Sequence, residues 1–198
     1  TKKISSNINC LKNFPKEIDK LFDGIVKEFK NFNTPQATRK SSEAVLHFIN
    51  NKMPLFGGSA DLTGSNNTKG KQMDVLNHKN YKGQYIHYGV REHGMASIMN
   101  GIAATRLYKT YSGTFLSFAD YMKPSLRLAA LMKIDPIQVF THDSIGLGED
   151  GPTHQPIEQI NMLRLIPNSY VFRPCDMMET IACWMLALKI NNAPSFIC

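Results

Sequence analysis

The sequence predicts an α/β fold: a mostly parallel sheet of about six strands with helices on both faces. Three observations lead there. Short apolar runs alternate with stretches of helical period along the chain, the order that βαβ units produce. Strand-like runs such as 136–141 are apolar almost throughout, which suits a sheet covered on both sides. Polar, Gly-containing segments at 57–61, 89–92 and 141–154 fall where strands end, and in such sheets ligands bind beyond the carboxyl ends of the strands.

The elements follow in order. Residues 1–15 are rich in Asn and Lys and read as linker. Pro15 opens an amphipathic helix, with Ile18, Leu21, Phe22, Ile25, Val26 and Phe29 on one face. Thr34-Pro35 reads as an N-cap with proline at the first helical position, opening a second helix to about residue 51. A strand then runs into the glycines of 57–61, followed by a polar loop over 62–83 with at most a turn of helix. Residues 85–88 form a strand. The small residues Gly94, Ala96, Ser97, Gly101, Ala103 and Ala104 mark a closely packed helix. Strands near 110–112, 136–141, 169–172 and 195–197 alternate with helices over 118–132, 155–165 and 176–188. Residues 1–36 are thus expected to be a linker with a helix, and 37–198 the domain proper.

Composition excludes several classes. The chain has 198 residues, 42% apolar and 20% charged, enough for a core and too apolar for global disorder. No uncharged apolar run reaches the roughly 18 residues of a membrane span, and there is no secretory signal. The net charge is +7, with all the excess in residues 1–82, where 14 Lys and Arg face 7 acids. These lysines are scattered, so they read as a solvated surface and not as a nucleic-acid patch. Cys10, Cys175, Cys183 and Cys198 show no metal spacing and read as free thiols in a reducing compartment, hence the cytoplasm. The chain opens on Thr1 and reads as a piece of something longer.

Five segments carry chemistry. Arg39, beside hydroxyls near a helix start, suits an anion such as phosphate. The segment 57–66 brings Asp61 and Ser65 past a strand end after paired glycines. Glu92 stands at a strand-to-helix junction, where a first-turn carboxylate is also an ordinary feature. Glu92 and His93 are helix neighbours about 100° apart, which argues against one shared metal ion. Phe115, Phe118 and Tyr121 recur every third residue on one predicted helix face, either core or a platform for a planar ring. Finally, 141–156 holds His142, Asp143, Glu149, Asp150 and His154 among three glycines, a density that packing does not explain. His142-Asp143-Ser144 is not a hydrolase triad, because such triads are assembled from distant positions.

The ordered set ATRKSSEAV, GGSADLTGSN, YIHYGVREHGMASIMNGIAA, GTFLSFADY and THDSIGLGEDGPTHQPIEQ resembles the central, pyrimidine-binding domain of the transketolase family. The resemblance spans residues 37–198. Dihydroxyacetone synthase and a catalytically silent transketolase-like dimerisation module remain as alternatives. It implies the cofactor thiamine diphosphate, with Glu92 hydrogen-bonded to N1′ of the aminopyrimidine and so promoting loss of the thiazolium C2 proton. Desolvation beside aromatic rings favours the protonated carboxyl that such a role needs. Phe118, with Phe115 and Tyr121, would be the stacking platform, and Asp61 would lie near the thiazolium. Arg39, Ser65 and His142 would bind substrate phosphate; Asp150 would read a sugar hydroxyl, and His154 would lie beside the substrate carbonyl.

The reaction implied is transfer of a two-carbon ketol unit between ketose and aldose phosphates, in the pentose phosphate pathway. A magnesium or calcium ion would be held by a diphosphate-binding domain with a GDG motif, which does not occur here. The site would lie across a homodimer interface, and the isolated chain is expected to be inactive.

Overall fold

The computed structural model describes the backbone of residues 2–50 and 52–198, and the side chains of all of these except 2–4 and 7–16. Among the described residues, seven α-helices and six strands are found in the order α1 (Lys2–Phe29), α2 (Thr38–Ile49), β1 (Leu55–Ser59), α3 (Thr63–Asn66), β2 (Tyr85–His87), α4 (Glu92–Ala104), β3 (Lys109–Phe115), α5 (Ala119–Leu131), β4 (Ile137–Thr141), α6 (Gln159–Arg164), β5 (Tyr170–Phe172), α7 (Met177–Lys189) and β6 (Ser195–Ile197). The strands form one sheet in the order β2-β1-β3-β4-β6-β5. Every pairing is parallel, so all six carboxyl ends point one way.

A parallel sheet must be covered on both faces, and two apolar layers do so. On one side Ile18 and Ile25 of α1, Val45, Leu46 and Ile49 of α2, and Ile181, Trp184 and Leu188 of α7 pack on Leu55, Tyr111, Ile137 and Val139. The indole of Trp184 is fully buried and donates to Ser42 Oγ at 2.9 Å. On the other side Met95 and Met99 of α4, Met122 and Leu126 of α5, and Leu163 of α6 cover Phe56, Phe140 and Phe196. Among the described residues no helix is long and apolar enough to cross a membrane.

Four boundaries differ from expectation. Helix α1 begins at Lys2 and runs through Pro15, so most of the expected linker is helical. Ile4, Ile8 and Leu11 carry the spacing of Ile18 and Leu21 back toward the start, a signal hidden by the surrounding Asn and Lys. Helix α2 starts at Thr38, after an extended Ala37. Pro35 holds the residue before it extended, and the side chain of Gln36 donates to Ser41 Oγ at 3.0 Å inside the first turn. Phe115 ends β3, Phe118 closes a 3₁₀ turn at Leu116–Phe118, and Tyr121 lies in α5, so the three rings share no helix face. The helix expected over 155–165 is reduced to α6, preceded by a 3₁₀ turn at Pro152–His154; Pro156, lacking an N–H, breaks the run.

At the opposite end of the sheet three loops are tied by charge. Lys109, buried at the start of β3, hydrogen-bonds Asp135 and donates to the Ile190 carbonyl at 2.7 Å. Arg106 donates to Asp135 at 3.2 Å and to the carbonyls of Asn191 and Lys133 at 2.6 and 3.1 Å. Cys175, Cys183 and Cys198 are free thiols, while the Cys10 side chain lies outside the described residues. Burial pushes Cys183 up to about 11 and Cys198 up to about 12, which keeps both protonated and unreactive.

Two glycines give a paired test. A Cβ on Gly57 would stand 2.2 Å from the Tyr111 ring, whereas one on Gly101, within α4, meets nothing within 4 Å. Gly57→Ala is expected to lose about 1–3 kcal/mol through overpacking, and Gly101→Ala to gain up to about 1 kcal/mol from helix propensity. Urea unfolding of the two variants measures both.

Candidate active site

The carboxyl ends of β1, β3 and β4 gather most of the residues singled out above. Strand β3 delivers Phe115, paired in register with Thr141 at the end of β4. The backbone then turns sharply at His142, whose φ of 56° lies in the left-handed region. A non-glycine residue rarely adopts it without support from its surroundings. This turn brings the imidazole back over Phe115, with 3.8 Å between ring centroids. Phe118 stacks on Phe115 at 5.8 Å with the rings nearly parallel. His154 meets Phe118 and Phe115 edge-on at 5.1 and 5.9 Å. Tyr121 leans on Phe118 at 6.1 Å and is largely exposed. Phe115 is buried between His142 and Phe118 and supports both from beneath, while Phe118 keeps part of its surface open.

Arg39, in the first turn of α2, reaches the same place from the other side of the cleft. Its Nη1 lies 3.2 Å from His142 Nε2. The two line a cavity of about 270 Å³ with Ser144, Leu147, Pro174 and Cys198. Burial, then the Arg39 cation, lowers the His142 pKa, opposed by Asp150 and Asp143. His142 is therefore biased toward the neutral form near pH 7, so that the attraction for an anion at this place comes from the Arg39 guanidinium. Asp143 is anchored in turn by Arg173, whose Nε donates to its carboxylate at 2.7 Å.

Glu92 opens α4 beyond β2 and is 7% exposed. Among the described residues no hydrogen bond or ion pair reaches its carboxyl. Helix α4 is held against α5 by Ser97–Ser125 at 2.6 Å and by Asn100 donating to the Ser125 carbonyl at 2.8 Å. Asp61 is exposed at the β1 end with φ 63°, a conformation that Asp tolerates better than most residues. Ser65 is exposed on α3, and its side chain makes no hydrogen bond among the described residues. Asp150 is exposed in the 142–151 loop, close enough to act on His142 electrostatically.

The structure thus joins Arg39, His142, His154, Phe115, Phe118 and Tyr121 directly, and Asp150 through its field. It leaves Glu92, Asp61 and Ser65 at the same end of the sheet without contact to them. Sequence reasoning missed Arg173 and also Ser59, Asn66 and Thr141, which lie beneath His142. Polar residues at such positions are conspicuous only once the strands are aligned.

The family model described as "Transketolase, pyrimidine binding domain" matches residues 34–198. The chain belongs to the transketolase family. It is 49% identical over 195 residues to the transketolase of Sinorhizobium medicae, covering 94% of this chain and 28% of that protein. The crystal structure of the Pichia stipitis transketolase in complex with sedoheptulose-7-phosphate superposes with a TM-score of 0.82 at 48% identity, over 84% of this chain and 26% of that one. The Leishmania mexicana transketolase gives 0.80 at 44% identity over the same shares. The chain therefore spans about a quarter of the length of the transketolases it matches. Where the chain carries Gly64 and Gly94, a Cβ would meet nothing within 4 Å at the first and only the Arg91 Cβ at 3.8 Å at the second.

The Arg173–Asp143 pair is half-exposed and bridges β5 to the loop above the cavity. Arg173→Ala is expected to cost no more than about 1 kcal/mol in global stability, while amides of 142–150 exchange faster with deuterium. Peptide-resolved hydrogen exchange checks this; unchanged protection there would show that the pair does not hold the loop.

Proposed function

We propose that this chain supplies the pyrimidine-binding and phosphate-binding half of a transketolase active site, acting in the cytoplasm on ketose and aldose phosphates. The observation that carries the reading is Glu92. Glu92 is buried as a residue, 7% exposed, and its carboxyl has no partner among the described residues, so a ligand hydrogen-bonded to it would complete its bonding. An aminopyrimidine fits, because its ring nitrogen hydrogen-bonds a carboxyl and its flat face stacks on a ring such as Phe118. When bound, thiamine diphosphate supplies a carbon nucleophile for breaking and making the bond beside a carbonyl.

The chain's own residues have separate tasks. Glu92 holds a proton at N1′ of the pyrimidine. Phe118, backed by Phe115 and flanked by Tyr121, fixes the plane of that ring, with Asp61 toward the thiazolium side. Arg39 and His142, with Ser65, bind the substrate phosphate by charge-assisted hydrogen bonds. His154, lying against Phe118, is suited to contact the substrate carbonyl, and Asp150 a sugar hydroxyl. The diphosphate and its metal ion would be held by the rest of a full-length transketolase, facing this half across a homodimer interface.

In the full-length enzyme, Glu92→Ala is expected to lower the rate about 10²–10⁴-fold, the usual cost of removing an acid–base group, with Glu92→Gln intermediate. The decisive reading is hydrogen–deuterium exchange at C2 of bound thiamine diphosphate: an unchanged rate in Glu92→Ala would make the carboxyl structural. Arg39→Ala is expected to raise KM for phosphorylated sugars with kcat largely spared, the signature of lost uniform binding. An equal effect on a donor without phosphate would show that Arg39 does not read that group.

A further inference from the structure

Beneath His142 a chain of hydrogen bonds crosses three elements, and its direction is fixed at one end by a backbone carbonyl. Ser59 Oγ lies 3.0 Å from the Gly113 carbonyl. A carbonyl cannot donate, so the Ser59 proton is committed there, and Ser59 Oγ can only accept from its other neighbours. Those are the Leu62 N–H at 3.3 Å and Asn66 Nδ2 at 3.4 Å. The Asn66 amide is therefore turned with its NH₂ toward Ser59 and its oxygen toward Thr141. Thr141 Oγ1 lies 2.6 Å from that oxygen and must donate to it. Having one proton, the Thr141 hydroxyl can only accept from His142 Nδ1, which is 2.8 Å away. The proton between them belongs to the imidazole. In the neutral ring Nε2 is then a lone pair, and it accepts from Arg39 Nη1 at 3.2 Å. Ser59 and Asn66 are fully buried and Thr141 nearly so, which shields the chain from exchange with water.

We propose that Asn66 and Thr141, oriented by Ser59, are positioning residues that hold His142 with its proton on Nδ1, so that Nε2 meets a bound phosphate only by taking up a proton. The phosphate part rests on the reading above; the tautomer does not. The dianion of a phosphate monoester offers only acceptors, so a neutral Nδ1–H imidazole facing it through Nε2 would oppose two lone pairs. Protonation of Nε2 turns that repulsion into a charge-assisted hydrogen bond and leaves the link to Thr141 intact.

The charged groups facing the ring set the balance. Arg39 from α2 opposes the imidazolium, as does His154, while Asp143 and Asp150 favour it; the claim of Asp143 is shared with Arg173. The Phe115 ring face at 3.8 Å accommodates a cation. Without ligand, burial and Arg39 keep the His142 pKa below its ordinary value. A dianion bound between Arg39 and His142 offsets Arg39 and raises it. The complex thus holds one more proton than the free partners. Affinity for phosphate falls as pH rises from the lowered free value toward the raised bound value, by up to about tenfold per pH unit.

The test is ¹⁵N-imidazole NMR on this chain, with methyl phosphate as the probe, between pH 7 and 8, where a phosphate monoester, with a second pKa of about 6, is almost wholly the dianion and carries no P–OH. His142 is expected to show a protonated Nδ1 and a bare Nε2 alone, and two protonated nitrogens at saturating methyl phosphate. The dissociation constant should rise up to about tenfold over that interval. Thr141→Val removes the acceptor of the Nδ1 proton and frees the ring to place its proton on Nε2, so the pH dependence should flatten. A role in packing alone would weaken binding at every pH with the slope unchanged, and that result overturns the proposal. So does a wild-type His142 carrying its proton on Nε2, a reading independent of whether the variant folds. Methyl phosphate that leaves His142 unperturbed while the Nδ1 tautomer is observed would instead sink the phosphate assignment, and the proton uptake with it.

Discussion

Strand β3 is buried along all seven residues, and the rest of the molecule depends on covering it. A parallel strand at that depth needs neighbours on both edges and helices on both faces. The two edges are β1 and β4. The two faces are filled by α1, α2 and α7 on one side and by α4, α5 and α6 on the other. Once the six strands run parallel, every loop that leaves a carboxyl end emerges on one side. Residues as distant in sequence as Arg39, Phe118 and His154 are gathered by this constraint rather than by attraction between them. Gly57 is part of the same constraint, since Tyr111 occupies the space that a side chain there would need.

At the gathered end the chain combines a charged fork, a ring stack and a buried carboxyl, each carried by a different element. Arg39 rides on a helix packed against Trp184, and His142 on a left-handed turn. Phe118 rests on Phe115, and Glu92 opens a helix clamped through Ser125. The stiffness of each carrier comes from the core beneath it, so ligands meet groups that are already oriented. Positions 57–59, where the sequence has a strand running into glycines, serve this purpose through Ser59, whose hydroxyl sits below the cleft.

Fold class was legible because strand and helix periods alternate cleanly from residue 54 onward. The strands at 55–59, 137–141 and 195–197 lie where their apolar runs place them. Helix starts were less legible. Thr34-Pro35 looks like a cap, yet the helix begins at Thr38, because side-chain bonds from Gln36 are invisible in one dimension. Three aromatics at a spacing of three suggested a helix face; the chain instead crosses from strand to 3₁₀ turn to helix over those residues, and the rings meet through tertiary geometry. His142 and His154 stood out as chemistry that packing could not explain, whereas Arg39 and Phe118, which a surface cation and a core ring explain equally well, gained their roles from the resemblance. Ser59, Asn66 and Thr141 did not stand out, since nothing in their sequence separation marks them as neighbours.

The knot formed by Lys109, Asp135 and Arg106 gives the molecule a thermal polarity. Removing charges from water becomes less costly as temperature rises, because the hydration of ions is entropically unfavourable. The base of the sheet, where Lys109 and Asp135 are both buried and loop carbonyls complete the bonds of Lys109 and Arg106, therefore gains relative strength on warming. Among the described residues the opposite end has no buried ion pair: its loops rest on ring contacts, the hydrogen bonds through Asn66 and Thr141, and a half-exposed ion pair. Heating should loosen the ligand-facing loops while the strands are still anchored from below, so that the capacity to hold a ligand is lost before the sheet comes apart.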